Sequence, residues 1–354
     1  MEGIRSWISG MLSWKWCPTS QAQLEDAEKR MLAPLTSAVT SQMVDIGDGC
    51  QIRSISINSS QLDTSSHIPL VLVHGFGGGV GIWIKNLDEL SRHRSVYAFD
   101  VLGFGRSSRP KFSDCPVKAE DQLVESIEKW RAELGLEKFV LLGHSLGAYL
   151  ASAYAIKFPE RVEHVVLAEP WGFPEQPLDA AERFARRVPM WVRMMVRVME
   201  PFNPLAGIRA AGPWGPNLIV RFRSDIQAKY DTVFGDDTVV NYIYHCNAQT
   251  PSGESAFKAM TKSFGWARHP MIQRIHELDH SIPITMIYGS RTWMDISVSD
   301  KVKELRPYSY VDVKQIDKAG HHIYSDKSDE FNDIVIGICN NVHQDLHHSE
   351  QSGQ

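Results

Sequence analysis

Short apolar runs alternate with longer helical stretches over most of the chain. Runs rich in β-branched and aromatic residues predict strands at 51–57, 70–73, 96–99, 139–142, 165–168, 284–288 and 310–316. The middle runs are apolar on both faces, which is typical of parallel strands covered by helices. This alternation predicts an α/β fold with a mostly parallel, doubly wound sheet. In such a sheet, functional loops collect at the carboxyl ends of the strands.

The alternation is interrupted in the middle of the chain. We therefore predict a core formed by residues 36–170 and 281–340, with residues 171–280 inserted as a helical cap segment. Residues 1–33 are a tryptophan-bearing leader, and residues 341–354 are a polar tail that we expect to fray.

Composition excludes several classes of protein. Hydrophobic residues make up 43% of the 354 residues and charged residues 22%, which indicates a packed globular protein. The formal net charge of −5 gives no indication of nucleic-acid binding. Five cysteines without CxxC spacing favour reduced thiols over a disulfide framework or a zinc site, and we expect no metal and no other cofactor. Without an apolar run of about 18 residues or a secretory signal, we expect a cytoplasmic protein.

A serine motif follows the predicted strand at 139–142. The sequence there is G-H-S-L-G at 143–147, and a helical stretch comes next. This strand–turn–helix setting resembles the nucleophile elbow of α/β-hydrolases, where the serine lies on a tight, strained turn. Glycines on either side avoid collisions with the neighbouring strand and helix. Ser145 is therefore the predicted nucleophile, at a helix N-terminus that favours developing negative charge.

A glycine-rich loop follows the strand at 70–73. Its sequence, H-G-F-G-G-G at 74–79, matches the loop that supplies an oxyanion donor in α/β-hydrolases. We predict the backbone N–H groups of Phe76 and Leu146 as the two donors, each of which stabilises a transition state by roughly 2.7–4 kcal/mol. The alternative is a phosphate-binding loop, but no Lys-Ser/Thr pair follows the glycines and no acidic residue lies at dinucleotide spacing.

The acid and the base should follow the nucleophile in that chain order. Asp295, after the strand at 284–288, is the predicted acid, and Glu169, after the strand at 165–168, is the alternative. His321 follows the last strand and is the predicted base, with His322 as the alternative. The base takes the serine proton and returns it to the leaving group, while the carboxylate fixes the histidine tautomer.

Longer motifs carry a more specific resemblance. They are HGFGGGVG at 74–81, LGFGRSSRP at 102–110, PWGFP at 170–174 and YIYHCN at 242–247. Together they resemble the α/β-hydrolase-domain proteins four and five over about residues 14–339. This resemblance implies an activity on lipids. One member of the pair is a lipase of N-acyl phosphatidylethanolamine and its lyso form; the other has asparagine as the nucleophile residue and activates a triglyceride lipase on lipid droplets.

The sequence combines features of both branches. Ser145 keeps the nucleophile of the lipase, whereas Arg291 and Gly320 resemble the coactivator branch and are candidates for partner docking. His321 and Asp326 fit the H-x-x-x-x-D pattern that this family associates with acyl transfer to lysophosphatidic acid. The alternative is that Asp326 only caps the helix that follows it.

The leader is a candidate lipid anchor. From Ile4 to Leu12, apolar residues recur at i, i+3, i+4, i+7 and i+8, which predicts one apolar helix face. Trp7, Trp14 and Trp16 belong to this region, and tryptophan favours the membrane–water boundary. The alternative is a helix that packs on the core. In the cap segment, the apolar stretch at 189–199 with its arginines could admit an acyl chain and hold a lipid phosphate, or could simply pack downward.

Two functions follow, and they are compatible. The first is a serine hydrolase of N-acylated or lyso-phospholipids, or of acylglycerols, at a lipid-droplet or membrane surface. The second is a lipid-droplet coactivator that docks on a triglyceride lipase, with acyl transfer as a further activity.

Overall fold

The buried apolar runs become the strands of one sheet. The computed structural model describes residues 16–58, 67–92, 94–180, 189–190, 202–263 and 265–352. The strands are β1 Val39–Asp45, β2 Gln51–Ile57, β3 Leu70–Val73, β4 Val96–Phe99, β5 Phe139–His144, β6 Val162–Ala168, β7 Thr261–Lys262, β8 Trp266–Ala267, β9 Ile284–Gly289 and β10 Val311–Ile316. Eight of them form the central sheet in the order β1-β2-β4-β3-β5-β6-β9-β10.

The central sheet is parallel apart from one edge. β2 pairs antiparallel with both β1 and β4, and every other neighbouring pair is parallel. β1 was not predicted from the sequence, because four of its seven residues in succession are exposed and its apolar pattern is weak. A turn in which Gly47, Asp48 and Gly49 all have positive φ leads from β1 into β2. The predicted doubly wound α/β fold is confirmed.

Helices cover both faces of the sheet. The helices of the described residues are α1 Gln21–Leu32, α2 Leu87–Ser91, α3 Pro116–Glu133, α4 Leu146–Lys157, α5 Ala206–Ala210, α6 Gly215–Phe222, α7 Ser224–Tyr230, α8 Thr238–Ala248, α9 Ser252–Met260, α10 Val298–Leu305, α11 Ile323–Asp326 and α12 Ser328–Ser352. In β3, Val71 and Val73 pack in one apolar layer with α3 and α4. Leu70 and Leu72 pack in the other with α1, α2 and α12. Burial on both sides explains why these strands are apolar throughout.

The predicted leader and tail are both partly folded onto the core. In α1, Glu28 is buried and pairs with Arg53 at 2.6 Å and Arg106 at 2.8 Å, so this part of the leader is tied to the sheet. At the other end, α12 continues through the segment that we expected to fray. Among the described residues, no helix combines the length and apolarity that a bilayer crossing requires.

The cap segment leaves the sheet after β6 and returns at β9. Its described part holds α5 to α9 and the β7–β8 pair. It rests on the glycine-rich loop, where the Gly81 N–H donates to the Tyr242 hydroxyl at 3.0 Å and the Asn247 amide donates to the Gly77 carbonyl at 2.8 Å. The cap segment therefore lies next to the predicted oxyanion loop. Most of the apolar stretch at 189–199 lies outside the described residues.

Candidate active site

Ser145 lies between β5 and α4 in a strained conformation. Its φ of 54° and ψ of −114° are unusual for a residue with a side chain. The flanking glycines are required by close approach: a Cβ on Gly143 would lie 2.2 Å from the Gly147 carbonyl oxygen, and a Cβ on Gly147 would lie 2.3 Å from that of Val73. The local structure is the sharp strand-to-helix turn that the sequence predicted.

The two candidate oxyanion donors lie in the glycine-rich loop and at the start of α4. The backbone N–H groups of Phe76 and Leu146 donate to no described residue, so they are free for a substrate oxygen. The loop is held by His74, whose Nδ1–H donates to the Gly75 carbonyl at 2.8 Å and whose Nε2 accepts from the Val101 N–H at 2.9 Å. Burial lowers the pKa of His74 to about 4, which keeps the ring neutral for this double role.

A wall of aromatic side chains stands beside this loop. The ring of Phe76 lies 4.4 Å from that of Phe257 on α9, and Phe257 lies 4.7 Å from Trp171, at the start of the cap segment. These rings form an apolar surface next to the candidate oxyanion donor. Such a surface suits an acyl chain and excludes water from a reacting ester.

The carboxylate that contacts the candidate base is Glu169. Its Oε2 lies 3.3 Å from Nδ1 of His321. Glu169 is fully buried just after β6, and its Oε1 accepts from the Gly289 N–H at 2.6 Å, while Oε2 accepts from the Thr292 hydroxyl. These bonds aim the carboxylate at the histidine, which is the arrangement that fixes a catalytic tautomer.

Asp295, the acid that we predicted, is directed elsewhere. Its side chain is exposed, and Oδ1 accepts from the backbone N–H of Ser297 at 3.0 Å and from the Ser297 hydroxyl at 2.6 Å. The structure therefore pairs His321 with the alternative acid, Glu169. The physical reason is that Asp295 begins a turn into α10 and binds its own backbone two residues on.

His321 lies in the loop between β10 and α11. Its ring is 5.1 Å from that of Trp293, which is 67% exposed, so the candidate base lies close to the protein surface. The Ser145 hydroxyl makes no hydrogen bond to a described residue. Catalytic hydrogen bonds of this kind commonly form only when the substrate is bound. His322, the alternative base, is turned away, with Nδ1 accepting from the Lys229 ammonium at 3.1 Å.

Asp326 does not contact the ring of His321. Its Oδ2 accepts from the Gly320 N–H at 2.8 Å, and its Oδ1 lies 3.3 Å from Lys229. The aspartate of the H-x-x-x-x-D pattern thus binds the backbone of the loop that carries His321. It does not form a second catalytic pair with the histidine ring. The geometry favours a structural role for Asp326, but as a partner of the Gly320 backbone rather than as the helix cap that the sequence offered as the alternative.

The two candidate docking residues are open to solvent to different degrees. The Arg291 side chain is exposed and contacts no acidic side chain of the described residues. Gly320 is half-buried, and a Cβ there would meet only the Asp326 carboxylate, at 3.4 Å, an ordinary contact. The turn before His321 therefore does not require glycine.

Of the three predicted anchor residues, only Trp16 lies within the described residues; Trp7 and Trp14 lie outside them. Trp16 is 49% exposed, and its indole N–H donates to the Ala210 carbonyl at 2.9 Å. Its ring packs edge-on against Trp214 of the cap segment, 6.0 Å away and 61% exposed. The end of the leader and the cap segment thus share an exposed aromatic pair.

Sequence reasoning missed several residues of the site. Thr292 and Phe257 carry no motif, and their contacts arise from segments far apart in the chain. His144, which precedes the nucleophile, donates from Nε2 to the His321 carbonyl at 2.8 Å. Its position inside the G-x-S-x-G motif is the only sequence signal that could have drawn attention to it.

Comparison with known proteins defines the class and then the branch. The family model for the α/β-hydrolase fold matches residues 68–328. The naproxen esterase of Bacillus subtilis has the same fold, with a TM-score of 0.63 over 90% of this chain and 97% of the esterase at 16% identity. The chain therefore belongs to the α/β-hydrolase family.

Two sets of relatives define the branch of this family. The (lyso)-N-acylphosphatidylethanolamine lipase of Mus musculus is 51% identical over 324 residues, which cover 92% of this chain and 93% of the lipase. The 1-acylglycerol-3-phosphate O-acyltransferase ABHD5 of Homo sapiens is 49% identical over the same length, covering 92% of this chain and 91% of ABHD5. The predicted family resemblance is confirmed.

Proposed function

We propose that this protein is a serine hydrolase that removes acyl chains from phospholipids of the N-acyl or lyso-phosphatidylethanolamine type. The observation that carries the proposal is the convergence of Ser145 on its elbow, His321, and the buried Glu169 at one edge of the sheet. The lipase relatives, at about half identity, support the substrate class.

The geometry suits an acyl-enzyme mechanism. His321 takes the proton of the Ser145 hydroxyl as its oxygen attacks the ester carbonyl, and the N–H groups of Phe76 and Leu146 stabilise the oxyanion. The ester C–O bond then breaks, and the alcohol leaves with the proton from His321. Water repeats the sequence on the acyl-serine and releases a fatty acid. The Glu169 carboxylate orients His321 and stabilises the imidazolium that forms in each step.

A lipid surface fits the exposed part of the molecule. Trp16 and Trp214 present two indole rings from the leader and the cap segment, and tryptophan prefers the boundary between lipid and water. A peripheral position on droplets or membranes would place the aromatic wall near acyl chains. The leader tryptophans Trp7 and Trp14 belong to the same proposal.

The decisive experiment compares wild type with Ser145→Ala on vesicles that contain N-acyl phosphatidylethanolamine, with released fatty acid measured by mass spectrometry. The variant should lose at least about 10⁴-fold in turnover, because no neighbouring group can replace the nucleophile. Asparagine tolerates the positive φ of this position, so Ser145→Asn is a second variant expected to fold. Turnover within tenfold of wild type in both variants would refute the hydrolase.

A second function is supported by a separate observation. Arg291 presents an exposed guanidinium with no acidic partner among the described residues, and Gly320 is glycine without a steric need. Both features fit a docking surface for a triglyceride lipase, since exposed charges commonly set partner choice. Docking and hydrolysis use different atoms, so one chain could perform both. Acyl transfer through Asp326 is less well supported, because that carboxylate is bound to the Gly320 backbone and to Lys229.

A further inference from the structure

His144 is a buried polar residue that the mechanism above does not use. It is the last residue of β5, directly before Ser145, and only 3% of its surface is exposed. Its side chain lies on the same face of the strand as Val140 and Leu142, which pack in the apolar layer beneath α12. An apolar side chain would suit that layer at lower cost, because burying an imidazole is unfavourable unless it is hydrogen-bonded.

The ring has one polar contact among the described residues. Nε2 lies 2.8 Å from the backbone carbonyl oxygen of His321, and Nδ1 is buried without a described partner. A carbonyl can only accept, so the proton must be on Nε2. Burial lowers the pKa of His144 well below its usual value, so the ring is neutral and carries this single N–H.

The surroundings fix the orientation of the ring. A Cβ on Gly75 would lie 2.8 Å from Nδ1 of His144, so the glycine-rich loop closes one side. The Tyr324 ring meets His144 edge-on, with ring centres 4.8 Å apart. The imidazole therefore cannot swing away from the His321 carbonyl without moving its neighbours.

The loop that carries His321 needs such a fixed point. The hydrogen bond from the His321 ring to Glu169 is long, at 3.3 Å. The neighbouring Trp293, whose ring lies beside that of His321, is exposed. We infer that His144 is a positioning residue: its Nε2–H holds the His321 backbone and thereby places the imidazole between Glu169 and Ser145. His144, the residue next to Ser145, then links β5 to the loop that carries His321. This inference rests on the proposed hydrolytic function.

Three substitutions separate positioning from simple packing. Glutamine can place an amide N–H where Nε2 lies, asparagine is too short to reach it, and leucine has no donor. His144→Asn and His144→Leu should lower kcat about 10- to 100-fold with KM changed less than about threefold, because a displacement near 1 Å of a catalytic group has effects of this size. His144→Gln should remain within about threefold of wild type. His164→Gln is the matched control, since His164 is also buried in the sheet but bonds to Thr285.

Two readouts make the test independent of the lipid substrate. The rate at which a fluorophosphonate labels Ser145 should follow the same ranking as kcat. The downfield imidazole proton of the His321–Glu169 pair, assigned by its loss in His321→Ala, should persist in His144→Gln and shift or vanish in His144→Asn. Equal behaviour of the glutamine and asparagine variants in both measurements would overturn the inference. If wild type shows no turnover or labelling, the proposed hydrolase fails, and the proton resonance alone decides the positioning role.

Discussion

The catalytic edge of the sheet, where the parallel strands end, and the outer surface of the molecule differ in how their polar and apolar groups find partners. At the edge, Glu169 is fully buried, and three donors from two separate segments converge on its carboxylate. On the surface, Trp214 is 61% exposed, and Arg291 has no acidic partner among the described residues. A buried charge needs hydrogen-bond or ion-pair partners within the protein. Exposed apolar or cationic groups are instead available to bind lipids or partner proteins. Changes at the edge should therefore affect turnover, and changes on the surface should affect binding.

The largest effect that separates the two regions should come from the two carboxylates. Glu169→Gln keeps size but removes the charge that orients His321, so kcat should fall about 10³-fold. Asp295→Asn should stay within about threefold of wild type, because the Asp295 side chain hydrogen-bonds only to Ser297 among the described residues. The measurement is steady-state hydrolysis of one phospholipid substrate by both variants. A greater loss for Asp295→Asn would return the acid to the residue that chain order first indicated.

This pair also shows where sequence reasoning reached its limit. Seven of the eight central strands, the Ser145 elbow and the His321 loop were predictable, because periodicity and glycine spacing record local structure. The acid was not, since chain order allows a carboxylate after either β6 or β9. What distinguishes Glu169 is its φ of 51° and its bonds to Gly289 and Thr292, which depend on how distant strands meet.

The leader shows the same limit in another form. An apolar stripe predicted a surface anchor for residues 1–33, but the stripe does not show that α1 is fixed by the burial of Glu28 between Arg53 and Arg106. Those partners lie 25 and 78 residues further along the chain. Long-range ion pairs leave no periodic pattern in a sequence, so only the structure separates the packed part of the leader from the exposed Trp16.

A second prediction concerns the stability of the interior. Burial lowers the pKa of His164 from the ordinary histidine value of 6.5 to about 4. Because the folded pKa is the lower one, the unfolded chain binds the proton first, and stability is lost as pH falls below 6.5. Between pH 7 and pH 5, His164→Gln should lose about 2 kcal/mol less unfolding free energy than wild type. Urea denaturation measures this, with the exposed His280→Gln as a control that should match wild type; a parallel loss in all three proteins would contradict the assignment.

A third prediction moves to the surface residues around the site. Arg291→Asn combined with Gly320→Ser should reduce stimulation of a cognate triglyceride lipase about tenfold, because a charged docking residue is removed and a side chain is added beside it. Binding of the variant to lipid droplets should be unchanged. Ser145→Ala should stimulate in full, since docking does not need the nucleophile. The assay is fatty-acid release from triglyceride droplets by the lipase with each protein added, and absence of stimulation by wild type would eliminate the coactivator role.

The smallest expected effect concerns the exposed aromatic pair. Trp16→Ala with Trp214→Ala removes two half-exposed indole rings that can enter a lipid interface, so vesicle partitioning should weaken about tenfold. Labelling of Ser145 by a fluorophosphonate should be unchanged, since both rings are exposed and neither belongs to the candidate active site. Tyr308→Ala is the matched control. Tyr308 is 89% exposed but lies just before β10, at the amino ends of the parallel strands, whereas the site lies at their carboxyl ends. Co-sedimentation with vesicles measures the binding, and adding Trp7→Ala and Trp14→Ala should weaken it further. The contrary result would be a Trp16 and Trp214 double variant that sediments like wild type together with a Tyr308 variant that does not. In that case the surface that binds lipid lies at the amino ends of the parallel strands, and the exposed tryptophans do not form it.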